Sequence, residues 1–275
     1  MNNRWIQFGD ILISDIPGGY VLSDIAGEGS GTVTKRTINY IDTDGASFAD
    51  FTFNPRPVEI DGFINAECDK QMIEMKQRLI SACYPKKEIT VTYFNREKIY
   101  TARAMFEQLP VFERRFNYSW NMLFKLYLII PGFYWNGANA VKKKIFKLKD
   151  EVLTSFTLPC VFTSLTKEAA LNNSGDIPVL PDYIIKNETP GAESVIITNK
   201  KTGQRITLNY ALERNEEVRI SSQNQTATSD INGNITSAFT IDTEFFELSP
   251  GVTEVEAVSP GNNITVEFFE NYLGV

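Results

Sequence analysis

The chain has 275 residues, 43% of them hydrophobic and 22% charged, and a formal net charge of −7. It is long enough to bury a core without covalent staples and too apolar for wholesale disorder, while its acidity argues against specific nucleic-acid binding through a basic surface. Histidine is absent, which removes the commonest general base, the usual zinc ligand and the middle member of a Ser-His-Asp triad, and with them most hydrolase mechanisms.

Met1 to Ile6 carries no apolar leader, so synthesis in a cytosol is expected. No apolar run reaches the ~18 residues of a spanning helix, and no membrane contact is expected. Trp5–Phe8 and Ile11–Ile13 read as a strand pair around a Gly9-Asp10 turn. The stretch Gly27-Glu28-Gly29-Ser30-Gly31 has the glycines of a phosphate-cradling loop, but β-branched residues follow where a helix should start, so it reads as a flexible connection. Asp42-Thr43-Asp44-Gly45 lacks the later ligands of a calcium loop and reads as a turn.

One helix is expected over about 69–84, with Asp69 as N-cap, Met72, Met75, Leu79, Ile80 and Cys83 on its apolar face, and Pro85 as its stop. A hairpin follows, turning at Asn95-Arg96. Cys68, Cys83 and Cys160 form an odd set without a C-x-x-C spacing, so buried thiols are expected and neither disulfide nor metal site.

Val111 to Trp135 is dense in large side chains and reads as a strand pair covering a core, with some aromatics free to make a subunit contact. Phe112, Phe116, Tyr118 and Trp120 are the candidates for that contact. Lys142 to Lys149 is the one basic run and reads as a solvated strand at a domain junction. Asn-Gly-Ala-Asn at 136–139 marks the boundary, so the expected domains are 1–138 and 139–275. The second begins at Glu151–Phe162, has a loop at Leu171–Asp176, and continues as short strands punctuated by Gly, Pro and Asn turns, the pattern of a sandwich or barrel. The fold class is mainly β with one helix, an α+β first domain followed by a β second domain.

The order of these features resembles the distal tail protein family of siphophages. The resemblance is carried first by Gly45 ahead of the paired strands, the helix, Pro85, the hairpin, and Leu128-Ile129-Ile130-Pro131-Gly132-Phe133-Tyr134. It is carried more specifically by Asn173 to Pro181, Val195 to Asn199, Thr202-Gly203, Glu216 to Ile220, Asn232-Gly233-Asn234 and Phe246 to Gly251. It implies a non-enzymatic phage or prophage baseplate protein at the distal end of the virion tail, without cofactor. Residues 1–138 would form a homo-hexameric ring around a channel for DNA, and 139–275 a peripheral galectin-like β-sandwich. The partners would be the tail tube protein on one face, the tail-associated hub or fibre protein on the other, and receptor-binding components at the periphery.

Two other readings are weighed beside it. A carbohydrate-binding module on a tail or cell-surface protein would need an aromatic platform, with Tyr183 or Tyr210 as candidates, because the His of a galectin-type sugar site is missing. A glycosidase would need a carboxylate pair such as Glu244 and Glu247, residue types that usually sit on solvated strand ends.

Overall fold

The computed structural model describes residues 3–29, 31–39, 46–114, 121–145, 166–187, 194–259 and 262–275. They fall into two compact units, Met1–Ala138 joined by Asn271–Val275, and Asn139–Glu270.

The first unit contains β1 (Trp5–Phe8), β2 (Ile11–Ser14), β3 (Gly19–Ala26), β4 (Val33–Asn39), β5 (Ala46–Phe53), β6 (Arg56–Asn65), α1 (Asp69–Ala82), β7 (Glu88–Phe94), β8 (Ile99–Phe106), β9 (Val111–Arg114), β10 (Asn121–Ile130) and β11 (Trp135–Gly137). Strands β8, β7, β1, β2, β3, β6 and β10 are successive hydrogen-bonded neighbours, and β10 pairs back onto β8 through Leu128↔Phe106 and Ile129↔Met105. That pairing closes a β-barrel, which leaves few open edges.

Period-two burial builds its core. Met122, Phe124, Leu126, Leu128 and Ile130 of β10 point inward, opposite Val58, Ile60 and Ile64 of the antiparallel β6. Gly62 pairs with Phe124. A Cβ there would stand 2.5 Å from both the Phe124 ring and the Val21 carbonyl oxygen, so only glycine fits.

Helix α1 packs Met72 and Leu79 into this core, with Cys83 just beyond them, and Tyr20 donates its hydroxyl to the Met75 carbonyl at 2.8 Å. Its N-cap is Cys68 and not the expected Asp69: the chain is still extended at 68, and Asp69 lies in the first turn, where its charge favours the helix dipole. Cys83 is buried and its thiol is pushed up to about 12, whereas Cys68 is exposed, contrary to the expectation of buried thiols. Cys160, the Asp42–Gly45 turn and the Glu151–Phe162 start lie outside the described residues.

The second unit contains β12 (Val141–Lys144), β13 (Thr166–Asn173), β14 (Asp182–Asn187), β15 (Val195–Asn199), β16 (Arg205–Leu208), β17 (Glu217–Ser221), β18 (Thr226–Ser229), β19 (Gly233–Asn234), β20 (Gly251–Val258) and β21 (Asn262–Phe268). They form two antiparallel sheets, ordered β12-β21-β14-β17-β18-β19 and β13-β20-β15-β16. Cross-strand rows such as Ile220, Tyr183 and Val266 in one sheet, and Ile206, Ile197 and Ala257 in the other, join a single buried cluster.

The Leu171–Asp176 loop starts later than expected. Leu171 to Asn173 complete β13 in register with β20, and the buried Asn173 amide donates to the Ile177 and Leu248 carbonyls at 3.0 Å each. In the basic run, Lys142 to Lys144 are exposed on β12, with Lys142 paired to Glu267 at 2.9 Å.

A last strand, β22 (Asn271–Tyr272), returns to the first unit and pairs with β11. There the Arg56 guanidinium, buried inside the unit, donates to the Glu28 carbonyl at 3.0 Å and to the Leu273 carbonyl. Glu28 also accepts from Tyr93, and its carbonyl accepts from the Val275 amide at 3.2 Å. The segment around Gly27 to Gly29 is therefore a tethered backbone anchor and not the flexible connection its glycines suggested.

Candidate assembly surface

Among the described residues, strands β4 and β5 pair only with each other, in register from Val33↔Phe53 to Asn39↔Ala46, with an irregularity between Arg36 and Thr37. Their β-branched and aromatic residues favour extended backbone, yet a two-stranded hairpin is marginal in water unless something covers its apolar face. Here Phe48 is 72% exposed, Phe51 62% and Ile38 54%. With Val33, Lys35 and Phe53 the two phenylalanines line a shallow, mostly apolar groove of about 540 Å³, and the Lys35 ammonium lies 5.5 Å from the Phe48 ring centroid.

The base of the hairpin is fixed. Asn54 donates its amide to the Thr32 carbonyl at 2.9 Å and accepts from the Thr34 hydroxyl at 2.9 Å. Phe53 stacks on Phe133 with ring centroids 4.5 Å apart and planes 7° from parallel, and Phe133 meets Tyr134 edge-on at 5.0 Å. Phe51 extends this row, edge-on to Phe53 at 5.9 Å. The aromatic row thus runs from the segment after β10 out along an exposed arm.

A second apolar patch lies on the outer face of β1, β2 and β7. Trp5, Leu12, Ile16 and Phe94 line a groove of about 470 Å³, with Leu12 and Ile16 each half exposed and the Trp5 and Phe94 rings 5.8 Å apart. Elsewhere in the first unit Arg78 binds Asp10 at 2.6 Å, and Lys125 bridges Glu59 at 3.0 Å and Asp61 at 3.2 Å.

Of the residues expected at a subunit contact, Phe112 is half-buried on β9, packed against the first core with the Lys76 ammonium 4.9 Å from its ring centroid. Phe116, Tyr118 and Trp120 lie outside the described residues. The exposed Phe48 and Phe51 are not among those expected residues, although Phe48, Phe51 and Phe53 stand close together in an otherwise polar stretch.

The structure assembles no catalytic set among the described residues. Glu244 and Glu247 are both exposed, and no cluster of Cys, Asp and Glu suited to a metal occurs among the described residues. Tyr183 is fully buried and cannot serve as a sugar platform, and the Tyr210 hydroxyl is engaged with Glu216 at 2.7 Å and Asn232 at 2.6 Å.

Two family models match the chain. Residues 18–118 match the phage tail protein RIFT-related domain, and residues 174–272 match the C-terminal domain of the siphovirus-type tail component. The fold is similar to that of the crystal structure of the Dit protein (gp 19.1) of phage SPP1, described as a hub of the adsorption apparatus of phages that infect Gram-positive hosts. The TM-score is 0.76 at 10% identity, covering 98% of this chain and 99% of that one. It is also similar to chains of the phage P2 baseplate in its activated conformation. The form with calcium gives a TM-score of 0.51 at 9% identity over 96% of this chain and 97% of that one. The form with strontium gives 0.51 at 11% identity over 97% of each. No curated protein matches the sequence.

Proposed function

From the premise that the chain belongs to the siphophage distal tail protein (Dit) family, we propose that it forms the hexameric ring that joins the tail tube to the hub or fibre protein at the tail tip and leaves a channel for DNA. It is a structural tail component and not an enzyme. In this reading residues 1–138, with the returning 271–275, form the ring, and residues 139–270 form peripheral galectin-like sandwiches that hold receptor-binding components.

The observation that carries the ring is the β4–β5 arm, which exposes Phe48 and Phe51 and has no third strand among the described residues. Closed cyclic symmetry with a head-to-tail contact needs two different complementary patches on one subunit. The arm is one, and the groove at Trp5, Leu12, Ile16 and Phe94 is the other; Phe112 and the aromatics after it extend the contact. The net charge of −7 fits a lumen that DNA slides through, because holding phosphates needs clustered Lys and Arg.

Negative-stain imaging of the purified chain tests the proposal. Sixfold annuli with a central hole are expected. Particles that show no rotational symmetry at high protein concentration overturn it.

A further inference from the structure

Three loops of the second unit meet in a cleft of about 560 Å³: the turn from Asn199 to Gln204 after β15, the turn between β17 and β18, and the segment from Phe245 into β20. Its volume falls within the ~300–1,000 Å³ of small-molecule sites. Most of its lining is neutral and hydrogen-bonding. The exposed amides of Gln223 and Gln225 stand on one wall, the half-buried ring of Phe245 adds an apolar surface, and Lys201 and Glu247 bring one charge of each sign.

On the same lining, Ser222 is 1% exposed and its hydroxyl has no partner among the described residues. Buried hydroxyls are ordinarily satisfied, and an orphan beside a cleft is a place where a ligand or the water it carries can complete a bond.

The walls are held in place before any ligand arrives. The Asn199 side chain accepts from the Lys201 amide at 3.0 Å, the Gly203 amide donates to the Asn199 carbonyl at 2.8 Å, and Val179 and Leu248 exchange backbone bonds at 3.1 and 2.8 Å behind the third loop. A preformed site loses less affinity to ordering.

We propose that this cleft binds a neutral saccharide. Glutamine amides and hydroxyls both donate and accept, which is what a polyhydroxylated ring requires, and the Phe245 ring suits the apolar face of a sugar. An anionic ligand would find its one cation, Lys201, countered by Glu247. An apolar ligand would strip water from amides it cannot pair. The site lies wholly within the second unit and does not depend on ring formation.

The test applies the full chain to an array of printed neutral oligosaccharides and titrates the strongest soluble hit by calorimetry. Gln223→Ala with Gln225→Ala should weaken that binding at least tenfold and leave the unfolding midpoint unchanged, since both side chains are exposed. Phe51→Ser, in the other unit, should leave binding intact, so loss of the ring and loss of the cleft are read separately. An array with no neutral hit, a hit untouched by the glutamine substitutions, or binding confined to charged glycans overturns the proposal.

Discussion

The buried guanidinium of Arg56, at the start of β6, donates to the backbone carbonyl of Leu273, more than two hundred residues away in sequence. With its second bond, to the Glu28 carbonyl, it ties the segment carrying β22 to the barrel. Arg56→Ala removes two charge-assisted hydrogen bonds, one to the Leu273 carbonyl and one to the Glu28 carbonyl, which keeps its bond from the Val275 amide; bonds from a charged group contribute ~1.5–3 kcal/mol each. The expected outcome is a loss of roughly 2–5 kcal/mol in denaturant unfolding, with faster amide exchange at Tyr272 to Val275. Arg56→Lys should recover only part of it, because an ammonium cannot reproduce the planar fork.

Gly62 is a second pressure point. Gly62→Ala puts a methyl group against the Phe124 ring and the Val21 carbonyl. Overpacking of this kind costs ~1–3 kcal/mol. Chemical denaturation should show that loss in the first unit's transition, and Phe124→Leu in the same chain should relieve part of it by opening space on the ring side.

Glu216 gives the second unit a pH signature. It is buried, and burial alone would raise its carboxyl, but hydrogen bonds from Ser229, from Tyr210 at 2.7 Å and from the Glu213 amide at 2.6 Å outweigh that and hold it below the usual carboxylate range. A depressed folded value stabilises the protein above the unfolded value of ~4.3, and the contribution is lost as pH falls through the folded value. Urea midpoints should therefore drop on acidification from pH 7 to pH 3. Glu216→Gln should lower the midpoint at pH 7 and shrink that drop.

Much of this architecture is legible in the sequence because it rests on local rules. The period-two alternation of Ile89 to Tyr93, the apolar face of α1 closed by Pro85, and the Asn95-Arg96 turn each need only neighbouring residues to be read, and each stands in the structure. What depends on distant partners is not legible in the same way. Nothing near Gly27 announces that Arg56 and Val275 will bond to the Glu28 carbonyl, and nothing near Tyr272 says that its strand joins β11. The candidate contact at Phe48 and Phe51 was hidden for a related reason. A short run of phenylalanines reads equally well as core or surface, and what distinguishes the two is the exposure of both rings on a hairpin with no third strand among the described residues.

The most direct test of the ring is its mass. Light scattering across a concentration series should give a species of six chains for the native sequence. Phe48→Ser with Phe51→Ser should give a single chain with an unchanged unfolding midpoint, because both rings are exposed. A native chain that stays monomeric throughout, or a double variant that assembles as the native chain does, would contradict the account.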